Sequence, residues 1–264
     1  MIRAVLSQWV RLCRRSVVLG WGGAAVAFSV LATYLTLRGV GSDSGGGMGS
    51  QTSFMAADLA AADGMAMVLG VTAMFLGVLT LGLVATLVAN EYSHGTIRTL
   101  LLEQPRRLRL LGGQLIAIAM FTAAAVVVAS LAATAVGLAI APGQGVDTAA
   151  WLTAEGYGAL AASIGNLILS TLGWGMIGAL LAVLLRSPAP AVAAGVAYAL
   201  PVEMLLSSVW DDAARWLPRG LLDGLAAGGT PLVSYGRASA LVALYTVGAL
   251  TVMAVLFTRR DVTA

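Results

Sequence analysis

The feature that most restricts what this chain can fold into is a series of long runs without one charged side chain. They cover residues 16–37, 64–90, 110–146, 156–185 and 238–258, and a sixth, 187–210, is interrupted only by Glu203. Each exceeds the ~18 apolar residues that mark a spanning helix, about 20 being needed to cross a bilayer at 1.5 Å per residue. The composition agrees: 59% of the 264 residues are hydrophobic, 10% are charged, and the mean hydropathy is +0.91. A soluble domain is roughly 45–50% apolar and about 25% charged, so a globule of this composition could not cover its own surface with polar groups. The expected fold class is all-α, a single polytopic membrane domain over 1–264 with six transmembrane helices. Their expected positions are about 17–37, 65–89, 112–140, 157–185, 188–209 and 238–258.

All fifteen basic residues are arginine. Without lysine the chain cannot build a P-loop, whose lysine reaches the nucleotide phosphates. The single cysteine, Cys13, forms no intrachain disulfide, and with the single histidine, His94, it falls short of a four-ligand zinc site. No metal site is expected. The net charge of +3 does not point to nucleic acid, because the arginines are distributed by membrane side. With both termini cytoplasmic, eleven lie inside and four (Arg38, Arg215, Arg219 and Arg237) outside, as the positive-inside rule requires.

Three segments outside the spans carry pattern. In residues 1–16, Ile2, Val5, Leu6, Trp9, Leu12 and Cys13 fall on one helical face, with Arg3, Ser7, Arg11 and Arg14 on the other. That arrangement predicts an amphipathic helix lying at the membrane interface. Arg14-Arg15 is similar to a twin-arginine export signal, but the following run of 22 residues exceeds the 7–15 of a signal peptide, so no cleavage is expected. Residues 39–53, rich in Gly and Ser, read as a flexible outer linker. Residues 210–237 read as an extracytoplasmic amphipathic segment of two short outer-leaflet helices, anchored by Trp210 and Trp216. Asp211–Arg215 and Arg219–Asp223 would pair at i, i+4, and Pro218 must break or begin a helix.

Polar residues within the spans are few. Thr72, Thr80, Asn166, Thr171, Thr246 and Thr251 read mainly as hydrogen-bonding glue between helices. The pairs Gly175–Ala179 and Gly178–Ala182 permit close helix contact, including contact across a dimer. Glu203 is the one ionisable residue inside a span, and an intramembrane carboxylate marks a functional position by default. It is expected to turn outward, to pair with Arg215 or Arg219, or to act in gating. Glu203, Asn166 and Thr80 are together the candidate gate or transport path.

The stretch NEYSHGTIRTLLLEQPRRLRLL, residues 90–111, gathers Glu91, Arg98, Glu103, Arg106, Arg107 and Arg109 between two charge-free runs. Gly95 suits a helix C-terminus and Thr96 an N-cap. A short helix IRTLLLEQ follows, with Ile97, Leu100, Leu101 and Leu102 on its apolar side, and Pro105 suits the first turn of the next helix. A charge cluster that holds a loop inside the cell explains the arginines. It does not explain the Glu91, Gly-Thr and Pro arrangement.

This stretch resembles the cytoplasmic loop of bacterial ABC-type export permeases of the type-2 family, whose pattern runs E-x-x-x-G-T-[IL]-[KR]-x-L-L, then P-x-[RK]. The terminal amphipathic helix, the six spans and the segment before the last span resemble that family too. The resemblance implies that the loop is a coupling helix docking on a separate cytosolic ATPase subunit. Glu91, Gly95, Thr96, Ile97, Arg98, Leu100, Leu101, Pro105 and Arg107 would be its docking residues. Where the family often has lysine this chain has Gln114. The implied protein is a permease subunit in the bacterial plasma membrane, paired with a second copy or a paralogue and exporting an amphiphilic or hydrophobic molecule. It would perform no chemistry and hold no cofactor, ATP and magnesium being bound by the partner. LLGGQ at 110–114 is similar to an ATPase signature loop but opens an apolar span, and DGLAAGG at 223–229 lacks the arginine and later aspartates of a phosphotransferase motif. The alternatives are a non-transporting anchor subunit, an ion-coupled secondary transporter and a membrane-embedded enzyme. The last two would call for several ionisable residues within the spans, where only Glu203 stands.

Overall fold

A computed structural model of the protein describes residues 9, 12–40, 54–93, 107–210 and 212–259. Among these residues all regular structure is helical, and six helices are long and apolar enough to cross a membrane. They are α1 (Arg15–Arg38), α3 (Ala73–Ser93), α4 (Arg107–Ile140), α5 (Ala154–Leu185), α6 (Pro188–Val209) and α8 (Tyr235–Arg259). Shorter helices stand between them, among them α2 (Gly64–Val71), which leads into α3, α7 (Pro218–Ala226), which precedes α8, and a single turn over Ala56–Leu59.

Local sequence sets where these helices begin, bend and stop. The Thr72 hydroxyl donates to the Leu69 carbonyl at 2.7 Å, and the chain breaks there between α2 and α3. Thr153 caps α5 by accepting from the Gly156 amide, and α5 ends at Arg186, whose φ of 53° turns the chain sharply into Pro188 at the start of α6. Within α6, residues Tyr198–Val202 widen into a π turn around Pro201, whose ring nitrogen has no proton to donate. A second π turn, Val18–Gly22, lies near the start of α1. Gly112 and Gly113 of the LLGGQ stretch lie inside α4.

α3 and α5 form the central and most extensive helix pair. Their backbones meet at Gly178, where an added Cβ would collide with the Leu81 carbonyl, and Ala179 and Ala182 are fully buried beside it. The small-residue pairs of α5 therefore serve contact inside the chain, and the dimer contact considered from sequence is not their use here. α1 packs on α4, and α6 on both α3 and α5. α8 is peripheral, resting on α5 and α7 with Leu244, Val247 and Val252 exposed. At the end of the bundle opposite the C-terminus of α3 and the start of α4, the Trp151 indole donates to the Leu59 carbonyl at 2.8 Å, among buried Leu37, Met65 and Leu69.

One sequence expectation needs correction. The first of the two short helices expected before the last span is a single 3-10 turn, Ala213–Arg215; only α7 is a helix. The tighter turn favours i, i+3 neighbours, and Arg215 is paired with Asp212 at 2.7 Å; Asp211, its expected partner, lies outside the described residues. Arg219 and Asp223 do face each other, at 3.6 Å. Most of the expected interfacial helix over 1–16 also lies outside the described residues. Leu12 is buried with Trp21, Val88 and Leu111, and Trp9 packs against the same cluster.

The central contact gives a direct test. Gly178→Ala should destabilise the chain by about 1–3 kcal/mol through overpacking. Gly165→Ala, on the exposed side of α5 with nothing within 4 Å of an added Cβ, should stabilise it by up to about 1 kcal/mol through helix propensity. SDS unfolding in mixed micelles measures both.

Candidate functional site

Of the residues implied to dock an ATPase, Gly95, Thr96, Ile97, Arg98, Leu100, Leu101 and Pro105 lie outside the described residues. Glu91 stands in the last turn of α3, and Arg107 opens α4, so the two helices bracket the loop. Between Glu91 and the loop, Tyr92 joins three spans. The Arg186 guanidinium from the end of α5 lies over its ring, 5.9 Å from the centroid, and Phe257 of α8 meets it edge-on at 6.3 Å. A cation within about 6 Å of a ring centroid is held by the ring quadrupole. The point where the chain leaves the membrane for the loop is therefore tied to the ends of α5 and α8.

Glu203 does not turn outward: it is 2% exposed. Nor does it take the side chain of either arginine expected from sequence as its hydrogen-bonding partner. Arg215 pairs with Asp212, and Arg219 faces Asp223 while its Nη2 donates to Met74 Sδ at 3.5 Å. Glu203 Oε1 instead accepts the backbone N–H of Gly220 at 3.1 Å. α7 begins at Pro218, which has no N–H, and Leu217 before it offers no side-chain cap. The open N-terminus of α7 is thus capped by a carboxylate from another helix, where the helix dipole favours negative charge. Gly220 itself has no room for a side chain, since a Cβ there would collide with Ala214 of the 3-10 turn. Sequence reasoning singled out Glu203 but not this role, because positions 203 and 220 meet only through the tertiary fold.

α7 is also a partition. Its Leu225 lines a cavity of about 440 Å³ within the bundle, which Thr80 of α3 lines as well. Leu222 and Pro218 line an adjoining cavity of about 360 Å³. On the other side, Asp223 and Ala226 line a vestibule of about 700 Å³, together with Asp63, Ser163 and Asn166. Asn166 accepts a hydrogen bond from the Tyr235 hydroxyl at 2.9 Å, which pins the start of α8 to α5. Asn166, Leu169, Gly173 and Met176 fall at helical spacing, so one face of α5 runs from the vestibule past α7 into the cavity. Thr80, Asn166 and Glu203 therefore do not converge on one point: Thr80 lines the inner cavity, Asn166 the vestibule beyond α7, and Glu203 caps the N-terminus of α7 between them.

Asp223 has one oxygen, Oδ1, buried without a hydrogen-bond partner, although the side chain as a whole is 39% exposed. Burial pushes its pKa up to about 6, against the pull of the Arg219 guanidinium and with a smaller push from Glu203. Among the described residues no group of three or more His, Cys, Asp or Glu could hold a metal ion. Comparison of the chain with protein-family models and with curated proteins finds no match.

The cap predicts how substitutions at Glu203 divide. Glu203→Gln keeps an oxygen for the Gly220 amide and should leave α7 docked. Glu203→Leu leaves that N–H without an acceptor, which costs about 1–3 kcal/mol, and should open a tryptic cleavage after Arg219 in the purified chain. Equal protection of both variants would show that the carboxylate does not hold α7.

Proposed function

We propose that this chain is the membrane-spanning permease subunit of an ATP-driven exporter of the ABC type, in a bacterial plasma membrane with both termini and residues 94–106 on the cytoplasmic side. It works with cytosolic ATPase subunits and a second permease chain, and its cargo is an amphiphilic or hydrophobic small molecule. One observation carries the reading: the order Glu91, Gly95-Thr96-Ile97-Arg98, Leu100-Leu101 and Pro105 in the connection between the second and third spans. A topological anchor would need only the arginines.

Three features of the fold support it. The loop leaves α3 at Tyr92, whose ring touches the ends of α5 and α8, so a push on the loop reaches two further spans. α5 and α8 both line the inner cavity, which couples that push to the space a cargo would occupy. α7 separates the cavity from the vestibule, packs on α5 and α8 through Leu221, Leu222 and Leu225, and has its N-terminus capped by the Glu203 carboxylate of α6, a position suited to an outer gate. ATP binding would draw the ATPases together, the loop would shift α3, α5 and α8, and α7 would move aside to release cargo outward. The interfacial helix over 1–16 would brace the cytoplasmic side, and the 210–237 segment would sit in the outer leaflet.

Affinity purification of the tagged chain from its native membrane in mild detergent tests this reading. A P-loop ATPase should accompany the wild type, and Glu91→Ala and Arg98→Ala should reduce its recovery or its coupled activity at least tenfold. Recovery of no ATPase, with both variants behaving as wild type, would leave the loop a topological anchor.

A further inference from the structure

α6 and α8 both pack on α5 but make little contact with each other. The cavity of about 360 Å³ is the groove this leaves, with Ile177 and Leu181 of α5, Tyr198 of α6 and Val242, Tyr245 and Ala249 of α8 on its walls. Tyr245 is 40% exposed, so the groove reaches the surface of the bundle. Along α8 it runs from Val242 to Ala249, about 10 Å at 1.5 Å per residue. Its walls are mostly apolar, and the Tyr245 hydroxyl is engaged in donating to the Trp216 carbonyl at 2.9 Å.

That hydrogen bond joins the groove to a cation. Trp216 is 47% exposed, and the Arg237 guanidinium lies over its ring, 4.6 Å from the centroid. Arg237, Leu241, Tyr245 and Ala249 follow at four-residue intervals, one ridge of α8 that runs from the cation into the groove. Neighbouring arginines are already engaged: Arg215 by Asp212 and the Leu232 carbonyl, Arg219 by Asp223. Arg237 is exposed, with no acidic partner and no hydrogen bond among the described residues. Arg38, at the same end of the bundle, also lies over a ring, that of Tyr34 at 4.9 Å, but it lines none of the three cavities described.

We propose that one membrane phospholipid binds here, its phosphate on the Arg237 guanidinium beside Trp216 and an acyl chain in the groove between α6 and α8. Charge complementarity names the occupant. A guanidinium held over a ring keeps its N–H donors for an oxyanion, and a phosphate can take two of them at once. Trp216 and Arg237 stand where the last span begins, at the kind of boundary where tryptophan collects beside headgroups. An acyl chain gains no hydrophobic free energy on passing from bilayer to groove, because both surroundings are apolar. Affinity therefore comes from the phosphate contact, and the groove sets where the lipid lies. A free phosphate would meet the same cation and leave the groove unused. The site goes beyond the permease reading and does not depend on it.

The test is native mass spectrometry of the purified, delipidated chain, titrated in detergent with dioleoylphosphatidylglycerol. One lipid should bind saturably. Arg237→Gln should weaken it about tenfold, equivalent to about 1.4 kcal/mol. Arg38→Gln, which removes the same charge at the same end, should leave it within about twofold. Dioleoylglycerol, with the same chains and no phosphate, should bind the wild type about tenfold more weakly, and inorganic phosphate should not displace the phospholipid. Ala249→Trp, which fills the groove, should weaken phospholipid binding about as much as Arg237→Gln. Wild-type affinity in Arg237→Gln or Ala249→Trp would overturn the site. So would equal loss in the two arginine variants, equal binding of dioleoylglycerol, or displacement by phosphate.

Discussion

Inside a bilayer no water is available to backbone or side-chain polar groups, so each must find its partner within the protein. The rest of this structure depends on how the chain meets that demand at the few places where a regular helix cannot. At Pro201 the helix widens into a π turn. Between α2 and α3 the Thr72 hydroxyl closes onto Leu69. At the start of α7 the missing acceptor is supplied by Glu203, seventeen positions earlier, at 3.1 Å from the Gly220 amide. At other places the demand is left unmet, among them the buried hydroxyls of Ser29, Thr33, Thr80, Thr122, Ser130 and Ser170.

The scaffold explains why the cavity exists. α3 and α5 approach closely because Gly178 lets the Leu81 backbone in, and this pair forms a rigid centre. α8 lies outside that centre, with much of its surface exposed. A tightly packed pair flanked by a loosely packed helix leaves space between them, and the inner cavity is that space. A close core with a looser partner is also the arrangement in which one helix can shift while the others hold.

How much of this could be read in the sequence follows from the range of each signal. Charge-free runs report membrane crossing through composition alone, so the six spanning helices were legible. Pro218 as a helix start was legible too, because the absence of its N–H is a local fact. The first short helix before α8 was not: Trp210, Ala214 and Leu217 share a helical spacing, but the chain makes only a 3-10 turn there before packing onto Gly220. The small residues of α5 declared a close contact without naming the partner, which proves to be α3. Glu203 was visible as an anomaly, yet its contact with Gly220 depends on how α6 and α7 meet. Thr122 carried no signal at all, since a threonine that bonds its own helix and one that does not look alike in sequence.

The central claim is that residues 94–106 are a docking element for a separate ATPase. It is tested most directly by putting the photo-crosslinking residue p-benzoylphenylalanine at Leu101, irradiating native membranes and identifying the attached chain by mass spectrometry. A permease driven by a partner should yield an adduct with a soluble, P-loop-containing ATPase subunit, absent when the same group is placed at Leu244, exposed midway along α8. Adducts at Leu101 with lipid alone, or with proteins that lack a nucleotide-binding site, would contradict it.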